Sequence, residues 1–172
     1  HNRTHSFPTR RSSDLMRNIA QNILKREKMS KRKSWYVIVI GSGRFGARLA
    51  GKLSYEDHSV VVIDTNETNF DNLPPEYTGF TIQGDATDVE VLKLAKAHKA
   101  DLFLALTDDD NTNFFVSQVA KDIFHVPHVI SRVYDPANLP LFHEFKIETI
   151  TPVLLALSTA NKMLEKIAEE DK

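Results

Sequence analysis

A run of β-branched and aromatic residues, 35–40, stops at a glycine, and a helix-compatible segment, 44–53, follows at once. The residues at this junction are Gly41-Ser42-Gly43-Arg44-Phe45-Gly46. The pattern predicts a strand, a tight turn and a helix, with Gly-x-Gly-x-x-Gly across the turn. Gly41 permits the turn, Gly43 lets a pyrophosphate approach bare backbone, and Gly46 lets helix and strand pack closely. Free amides at the helix start would face the phosphates, aided by the helix dipole.

A second apolar run, residues 59–64, ends in Asp64, 18 positions beyond Gly46. An acid about 20 residues beyond the glycines, at the end of the second strand, is the expected partner of the two ribose hydroxyls. The same charge disfavours a ribose 2′-phosphate, because like charges repel. The alternative is that Asp64 only caps the turn before Thr65-Asn66. The nucleotide interpretation is favoured, because the first strand, the glycine turn, the following helix and the acid all fit the same binding motif.

Charge is unevenly distributed along the 172 residues, although the net charge is only −1. Residues 1–33 carry ten Lys and Arg against two acids, so a tail of +8 precedes a domain of −9. Such a tail suggests nucleic acid or anionic lipid. Residues 5–15, however, look like the translation of a widely used sequencing-library adapter, which has no biological meaning. We therefore interpret residues 1–33 as a disordered, partly artefactual tail and expect no nucleic-acid partner.

An alternative for residues 17–33 is a short basic amphipathic helix, with Ile19, Ile23 and Leu24 at helical spacing. If the adapter interpretation holds, Met29 is a plausible true start. The chain has no cysteine, which excludes disulfides, iron–sulfur clusters and thiol catalysis and fits a reducing cytosol. No apolar run approaches the roughly 18 residues of a membrane helix, so we expect a soluble chain.

From residue 34 to 172, apolar strands alternate with helical segments. The predicted strands are residues 35–40, 59–64, 79–83, 100–106, 128–133 and 146–150. The predicted helices are residues 44–53, 67–73, 89–97, 107–124, a short one from Asp135-Pro136, and 153–169. Continuous apolar strands are typical of a parallel sheet covered on both faces. The sequence predicts an α/β fold, a Rossmann-like, doubly wound, six-stranded parallel sheet.

Capping residues and apolar rows give finer predictions. Asp85 or Thr87 is expected to cap the helix that starts near residue 89. Thr107, with Asp110 three residues later, has the form of a capping box for the next helix. In that helix two rows predict a wide buried stripe, one of Phe115, Val119 and Ile123 and one of Val116, Ala120 and Phe124.

Polar clusters follow five predicted strands, at 41–46, Asp64, 84–87, 107–110 and Arg132. In a doubly wound sheet these strand ends meet at one edge, where ligands bind. The sequence therefore predicts one site there, and no metal centre.

Three charged groups have competing interpretations. Arg44 is either a phosphate ligand or an exposed first-turn residue, and because a cation opposes the helix dipole there, the ligand role is favoured. The acids 108–110 either hold a divalent cation or form a solvated first turn, which is favoured for Asp109 and Asp110. Arg132 ends a central strand, where an unpaired charge is costly, so it meets either phosphate or a carboxylate such as Asp108.

Five segments taken together are more specific than the glycine turn alone. They are residues 41–46, 61–64, 83–88 with 91–92, 105–110 with Asn113, and 131–133. On these segments, residues 35–164 resemble the potassium-transport nucleotide-binding domain, also called the regulator of potassium conductance domain. This domain forms the cytosolic gating subunits of bacterial Trk and Ktr potassium uptake systems.

The resemblance implies roles for individual residues. The phosphates would be held by the glycine turn, namely Gly41, Ser42, Gly43, Arg44 and Phe45, and the adenosine ribose by Asp64. Asp85 would border the adenine, Thr107 and Asp108 would line the phosphate side, and Arg132 would belong to the site. The regulatory ligand would be NAD(H), ATP or ADP.

The resemblance also implies partners. The chain would form a homo-oligomer, at least a dimer and in the family a ring. The composition of residues 155–164 by itself favours a packing or dimer helix over a membrane anchor. The ring would act on a membrane potassium-translocating subunit, so the protein would be cytoplasmic, at the inner face of the membrane. Family members usually continue into a second ligand-binding lobe, whereas this chain ends at Lys172. We expect either a form with the N-terminal lobe alone or a truncated reading frame.

Three classes of function remain open, and a regulatory, non-enzymatic subunit is the leading one. The runner-up is an NAD-dependent oxidoreductase fragment. Against it, no tyrosine is followed four residues later by lysine, and no substrate domain follows Ile150. The third class is a nucleotide-stabilised assembly module without a pore.

Overall fold

The structure, a computed structural model, describes residues 14–17, 19, 21 and 33–170. The chain divides into two units, residues 1–34 and 35–172. In the first unit, the described residues 14–17, 19 and 21 are helical. The predicted adapter translation at 5–15, and the predicted tail or basic helix, otherwise lie outside the described residues.

The second unit is built on six strands within residues 33–170. They are β1 (Tyr36–Ile40), β2 (Ser59–Asp64), β3 (Phe80–Gln83), β4 (Leu102–Ala105), β5 (His128–Arg132) and β6 (Glu148–Ile150). All are parallel, and they form one sheet in the order β3-β2-β1-β4-β5-β6. The predicted doubly wound, six-stranded parallel sheet is confirmed. Its order reverses between β1 and β4, which is where such sheets bind ligands.

Helical segments connect the strands, and the last helix follows β6. They are α1 (Arg44–Tyr55), a 3-10 helix (Glu67–Asn72), α2 (Val89–Leu94), a 3-10 turn (Ala97–Lys99), α3 (Asp110–Gln118) with a π-helical turn (Val119–Ile123), a 3-10 turn (Pro136–Asn138), α4 (Leu139–Glu144) and α5 (Pro152–Glu170). The helix expected over residues 67–73 is thus a 3-10 helix, which we call the strap. Prolines 74 and 75 follow it, and proline disfavours helical continuation.

The central strands are buried on both faces. Ile38 and Phe103 belong to the apolar cluster on one face, and Val37 and Leu104 belong to the cluster on the other. All four side chains are less than 3 % exposed. Successive residues of a strand point to opposite faces, so a strand covered on both sides has no polar position. This explains the continuous apolar runs in the sequence.

The helix predicted over residues 107–124 begins later and changes type. Val116 and Ala120 are buried, as predicted, but Phe115 and Ile123 are 47 % and 58 % exposed. The predicted row of Phe115, Val119 and Ile123 is therefore wrong at both ends. In the π-helical turn, the Phe124 N–H bonds to the Val119 carbonyl, five residues back. This wider turn rotates Ile123 out of the row that an α-helix would give.

The last helix, α5, buries none of its residues against the rest of the described chain. Its exposed apolar side chains include Val153, Leu157, Leu164 and Ile167, which share one stripe of the helix. No helix among the described residues combines the length and the apolarity that crossing a bilayer requires.

Candidate functional site

The carboxyl ends of β1, β2, β4 and β5 border a cleft of about 800 Å³. Nine of the eleven residues predicted for the site line it, namely Gly41, Gly43, Arg44, Phe45, Asp64, Asp85, Thr107, Asp108 and Arg132. The other two, Ser42 and Gly46, are buried and do not line the cleft. The chain thus brings the polar clusters of separate strands to one place.

In the glycine turn, Gly46 is packed against the backbone and Gly43 faces free space. Gly41 has a φ of +94°, a conformation that side chains disfavour, and its N–H donates to the Ile63 carbonyl over 2.8 Å. A Cβ on Gly46 would overlap the Gly41 carbonyl oxygen, whereas a Cβ on Gly43 would meet no atom within 4 Å. Helix α1 starts after Gly43 with no side-chain cap and no acid in its first turn. Its first amides are therefore left for a partner from outside the chain.

Asp64 anchors this turn. Its Oδ2 accepts from the Ser42 N–H over 2.7 Å, and its Oδ1 accepts from the Asn66 N–H and from Asn69 Nδ2, both over 2.9 Å. The strap adds two bonds to Ser42, because the Ser42 hydroxyl donates to the Asn69 carbonyl and Asn72 Nδ2 donates to the Ser42 carbonyl, each over 3.0 Å. The turn-capping contact expected as the alternative role of Asp64 is present, and the same half-buried carboxylate also lines the cleft.

Asp85 lies on the cleft wall in a tight turn of its own. Its Oδ1 accepts from the Thr87 hydroxyl over 2.7 Å and from the Thr87 N–H over 2.8 Å. These bonds, the hydroxyl first, hold the pKa of Asp85 below its ordinary value. The prediction that Asp85 or Thr87 caps α2 is wrong, because Asp88 accepts from the Glu90 N–H and is the N-cap. Asp85, Thr87 and Asp88 can each form the same local turn, so sequence alone could not choose among them.

The start of α3 corrects another capping prediction. Asp109, not Thr107, is the N-cap, and its carboxylate accepts from the Thr112 N–H over 2.6 Å. Thr107 instead bonds to Asn113, which is fully buried. Asn113 Oδ1 accepts from the Thr107 hydroxyl and N–H, and its Nδ2 donates to the carbonyls of Thr107 and Arg132, over 2.7 to 3.1 Å. Asn113 therefore ties together the ends of β4 and β5.

We expect Asn113→Ala to lower the free energy of unfolding by about 2–3 kcal/mol, because part-buried polar groups of Thr107 and Arg132 would lose their partner. Asn111→Ala is the matched control, since Asn111 is exposed on the same helix, and it should stay within about 0.5 kcal/mol of the wild type. Urea unfolding measures both values. Equal stability of the two variants would contradict the tie between β4 and β5.

Asp109 should make stability depend on pH. The Thr112 hydroxyl and then its N–H lower the pKa of Asp109 from its ordinary value of 3.8. A lowered folded-state pKa stabilises the fold above the unfolded-state value, and this contribution is lost as pH falls through the folded-state value. We expect Asp109→Ala to lower Tm at pH 7, with a difference from wild type that shrinks below about pH 4. Thermal unfolding across pH tests this, and a difference that stays constant would contradict it.

Asp110 was expected to lie in a solvated acidic turn, and this is wrong. Its Oδ1 accepts from the Tyr134 N–H over 2.6 Å, and its Oδ2 accepts from the Asp135 N–H over 3.0 Å and from Asn138 Nδ2 over 2.8 Å. Asp110 thus fastens the segment after β5 to the start of α3. Asp108, by contrast, is exposed and lines the cleft. The three adjacent acids therefore have three different roles.

The two arginines of the cleft have no carboxylate partner among the described residues. Arg132 Nε is buried without a hydrogen bond, and its guanidinium lies 5.7 Å from the centre of the Tyr134 ring. The expected alternative of a pair between Arg132 and Asp108 is not formed. Arg44 is exposed at the first turn of α1, on the cleft wall. Both cations remain available to an anion.

Several residues of the cleft were not predicted, among them Asn69, Thr112, Tyr134, Pro152 and Leu155. Tyr134 lies two positions after Arg132, the last residue of β5, so its place at the cleft could have been predicted from the end of that strand. Asn69 and Leu155 enter through the strap and the first turn of α5, and no sequence pattern places these on the cleft. Within residues 33–170, no group of three His, Asp or Glu could hold a metal ion.

The parallel sheet, its switch point and the glycine turn define a Rossmann-like nucleotide-binding class of domain. Within this class the chain belongs to the TrkA-N domain family, which matches residues 37–152. It is 32 % identical over 132 residues to the Trk system potassium uptake protein TrkA of Streptomyces coelicolor, covering 77 % of this chain and 58 % of that protein. The chain thus spans little more than half the length of this relative.

Solved structures share the fold. The TrkA-N domain of the inner membrane protein ybaL from Escherichia coli matches with a TM-score of 0.64 and 22 % identity, covering 78 % of this chain and 97 % of that one. The GsuK channel bound to NAD matches with a TM-score of 0.59 and 18 % identity, over 70 % and 22 % of the chains. GsuK bound to ADP matches with a TM-score of 0.57 and 19 % identity, over 70 % and 31 %.

Proposed function

We propose that this chain is the nucleotide-sensing part of a potassium-transport regulator. It binds an adenosine nucleotide in the cleft, and the bound nucleotide changes the shape of an assembly that acts on a membrane pore. One observation carries the nucleotide part of the proposal. The uncapped start of α1 opens onto free space at Gly43, in a cleft that also holds two arginines without a carboxylate partner in the described part of the chain.

The charges of the cleft favour a ligand with an anionic part and a polar, uncharged part. Backbone amides, the helix dipole and the guanidinium groups of Arg44 and Arg132 suit phosphate. The carboxylates of Asp64 and Asp85 also line the cleft, and they would repel phosphate and accept from hydroxyl or amino groups. A nucleotide fits this division, with its phosphates at Gly43 and its ribose at Asp64.

The cleft volume of about 800 Å³ lies in the range of small-molecule sites and is compatible with either NAD(H) or ATP and ADP. GsuK, which shares the fold, has been solved with NAD and with ADP, and this supports both kinds of ligand for the proposal. We propose that the bound nucleotide is a regulatory ligand and is not consumed.

The potassium part of the proposal draws on the family. The relative from Streptomyces coelicolor is named as a Trk potassium uptake protein. We propose a pore subunit of the Trk or Ktr type as partner, at the inner face of the membrane. A homo-oligomer would transmit the signal, and the exposed apolar stripe of α5 supports a second copy of this chain as its cover. Nucleotides that bind two states of the assembly unequally shift the population between them.

Calorimetric titration of the chain with NADH, NAD⁺, ATP, ADP and NADPH tests the nucleotide part. We expect at least one nucleotide with a free adenosine ribose to bind, and NADPH to bind much more weakly, because its 2′-phosphate would face Asp64. Ligand at 100 times Kd should also raise the free energy of unfolding by about 2.7 kcal/mol. A folded chain that binds none of the five would refute the proposed site.

A chimera tests the potassium part. Residues 35–164 would replace the matching segment of the Streptomyces coelicolor relative, and potassium uptake would be measured in cells that depend on that protein. We expect uptake to respond to the nucleotide that binds this chain, and Asp64→Ala in the chimera to abolish the response. Uptake that is supported but indifferent to Asp64→Ala would contradict nucleotide sensing through this cleft.

A further inference from the structure

Asn69, on the strap, lines the cleft beside Asp64. Its carboxamide is oriented by one bond, in which Nδ2 donates to Asp64 Oδ1 over 2.9 Å. A carboxylate accepts only from a donor, so the amide nitrogen must face Asp64. Its backbone is held as well, because its N–H donates to the Asn66 carbonyl and its carbonyl accepts from the Ser42 hydroxyl, both over 3.0 Å. The Asn69 side chain is therefore positioned, and its Oδ1 has no hydrogen-bond partner among the described residues.

Asp64 alone is poorly equipped to receive a ribose. A carboxylate has about four acceptor positions. Three are taken within the chain, two on Oδ1 by Asn66 and Asn69 and one on Oδ2 by Ser42. About one position is left, whereas a ribose presents two neighbouring hydroxyls. A second acceptor is needed next to the first.

We propose that Asn69 Oδ1 is this second acceptor, so that Asp64 and Asn69 each receive one of the two ribose hydroxyls. The site then selects ribonucleotides in which both hydroxyls are free, and Asn69 determines this selectivity directly. The inference rests on the proposed function, since it requires an adenosine nucleotide in the cleft. It assigns to the strap a contact with ligand in addition to its bonds with the glycine turn.

The test compares the affinities of the 172-residue chain for ATP, 2′-deoxy-ATP and 3′-deoxy-ATP. In the wild type we expect each deoxygenation to weaken binding about tenfold, the effect of one hydrogen bond. In Asn69→Ala, one of the two deoxygenations should have no effect while the other keeps its full effect. Asn72→Ala is the matched control, because Asn72 also bonds the strap to Ser42 but does not line the cleft. It should preserve both effects. Asn69→Ser serves where the alanine variant does not fold.

The outcomes are distinct. If Asn69→Ala loses neither effect, Asn69 does not contact the ribose and the inference is wrong. If it loses both, Asn69 acts only by orienting Asp64, and the direct contact is equally wrong. Failure of the wild type to bind ATP would remove ATP as a ligand, and the inference with it, before any variant is compared. That result is distinguishable from an intact ATP site whose hydroxyl selectivity does not depend on Asn69.

Discussion

Gly46→Ala is expected to lower the stability of the protein, whereas Gly43→Ala is expected to lower its affinity for nucleotide. A Cβ on Gly46 would overlap the backbone oxygen of Gly41, which cannot turn aside as a flexible side chain can. Overpacking of this kind costs about 3 kcal/mol, and the better helix propensity of alanine returns about 1 kcal/mol. We therefore expect Gly46→Ala to lower the free energy of unfolding by about 2 kcal/mol, as measured by urea unfolding.

Gly43→Ala should leave stability nearly unchanged, because the added Cβ would meet no atom of the protein within 4 Å. It should instead weaken nucleotide binding at least tenfold, because the methyl group would occupy the space that the phosphates need. The pair thus separates the packing glycine from the ligand-facing one. Unchanged affinity in a folded Gly43→Ala would contradict phosphate binding at the turn.

Asp64→Ala is expected to have the largest effect on affinity, a loss of about 100-fold or more. Hydrogen bonds to a charged group contribute about 1.5–3 kcal/mol, and 2.7 kcal/mol corresponds to 100-fold. The substitution removes the proposed ribose acceptor and also releases the Ser42 N–H, which holds the glycine turn in place. Titration calorimetry with the tightest-binding nucleotide measures the loss.

Asp71→Ala is the control for Asp64→Ala. Asp71 carries the same charge on the exposed side of the strap and does not line the cleft. We expect its removal to change affinity less than twofold, because Asp71 is exposed outside the cleft and salt screens the charges of exposed side chains. Similar losses in the two variants would show that the overall charge of this region, and not the Asp64 carboxylate, governs binding.

The sheet and the glycine turn could be predicted because both are encoded locally. A strand buried on both faces, such as β1, has to be continuously apolar, and a turn that brings Gly46 against the Gly41 carbonyl excludes any side chain. The carboxyl ends of parallel strands lie at the same edge of the sheet. The convergence of Asp64, Thr107 and Arg132 could therefore be predicted from their positions at strand ends alone.

Residues whose role depends on distant partners could not be predicted. Asp110 reads as a solvated acid in sequence, yet its partners are 24 to 28 positions away, at Tyr134, Asp135 and Asn138. Where several capping residues are adjacent, as at Asp85 and Asp88, small differences in backbone geometry decide which one caps. The π-helical turn after α3 likewise has no sequence signature, and it changed the exposure of Ile123.

The central claim is that a nucleotide lies with its phosphates at the glycine turn and its adenosine ribose at Asp64. A crystal structure of the chain with its tightest-binding nucleotide tests this most directly. We expect a phosphate within hydrogen-bond distance of the first amides of α1, a ribose hydroxyl on Asp64, and the guanidinium of Arg44 or Arg132 on a phosphate oxygen. A nucleotide bound outside the cleft, or one whose phosphates avoid Gly43, would contradict the claim.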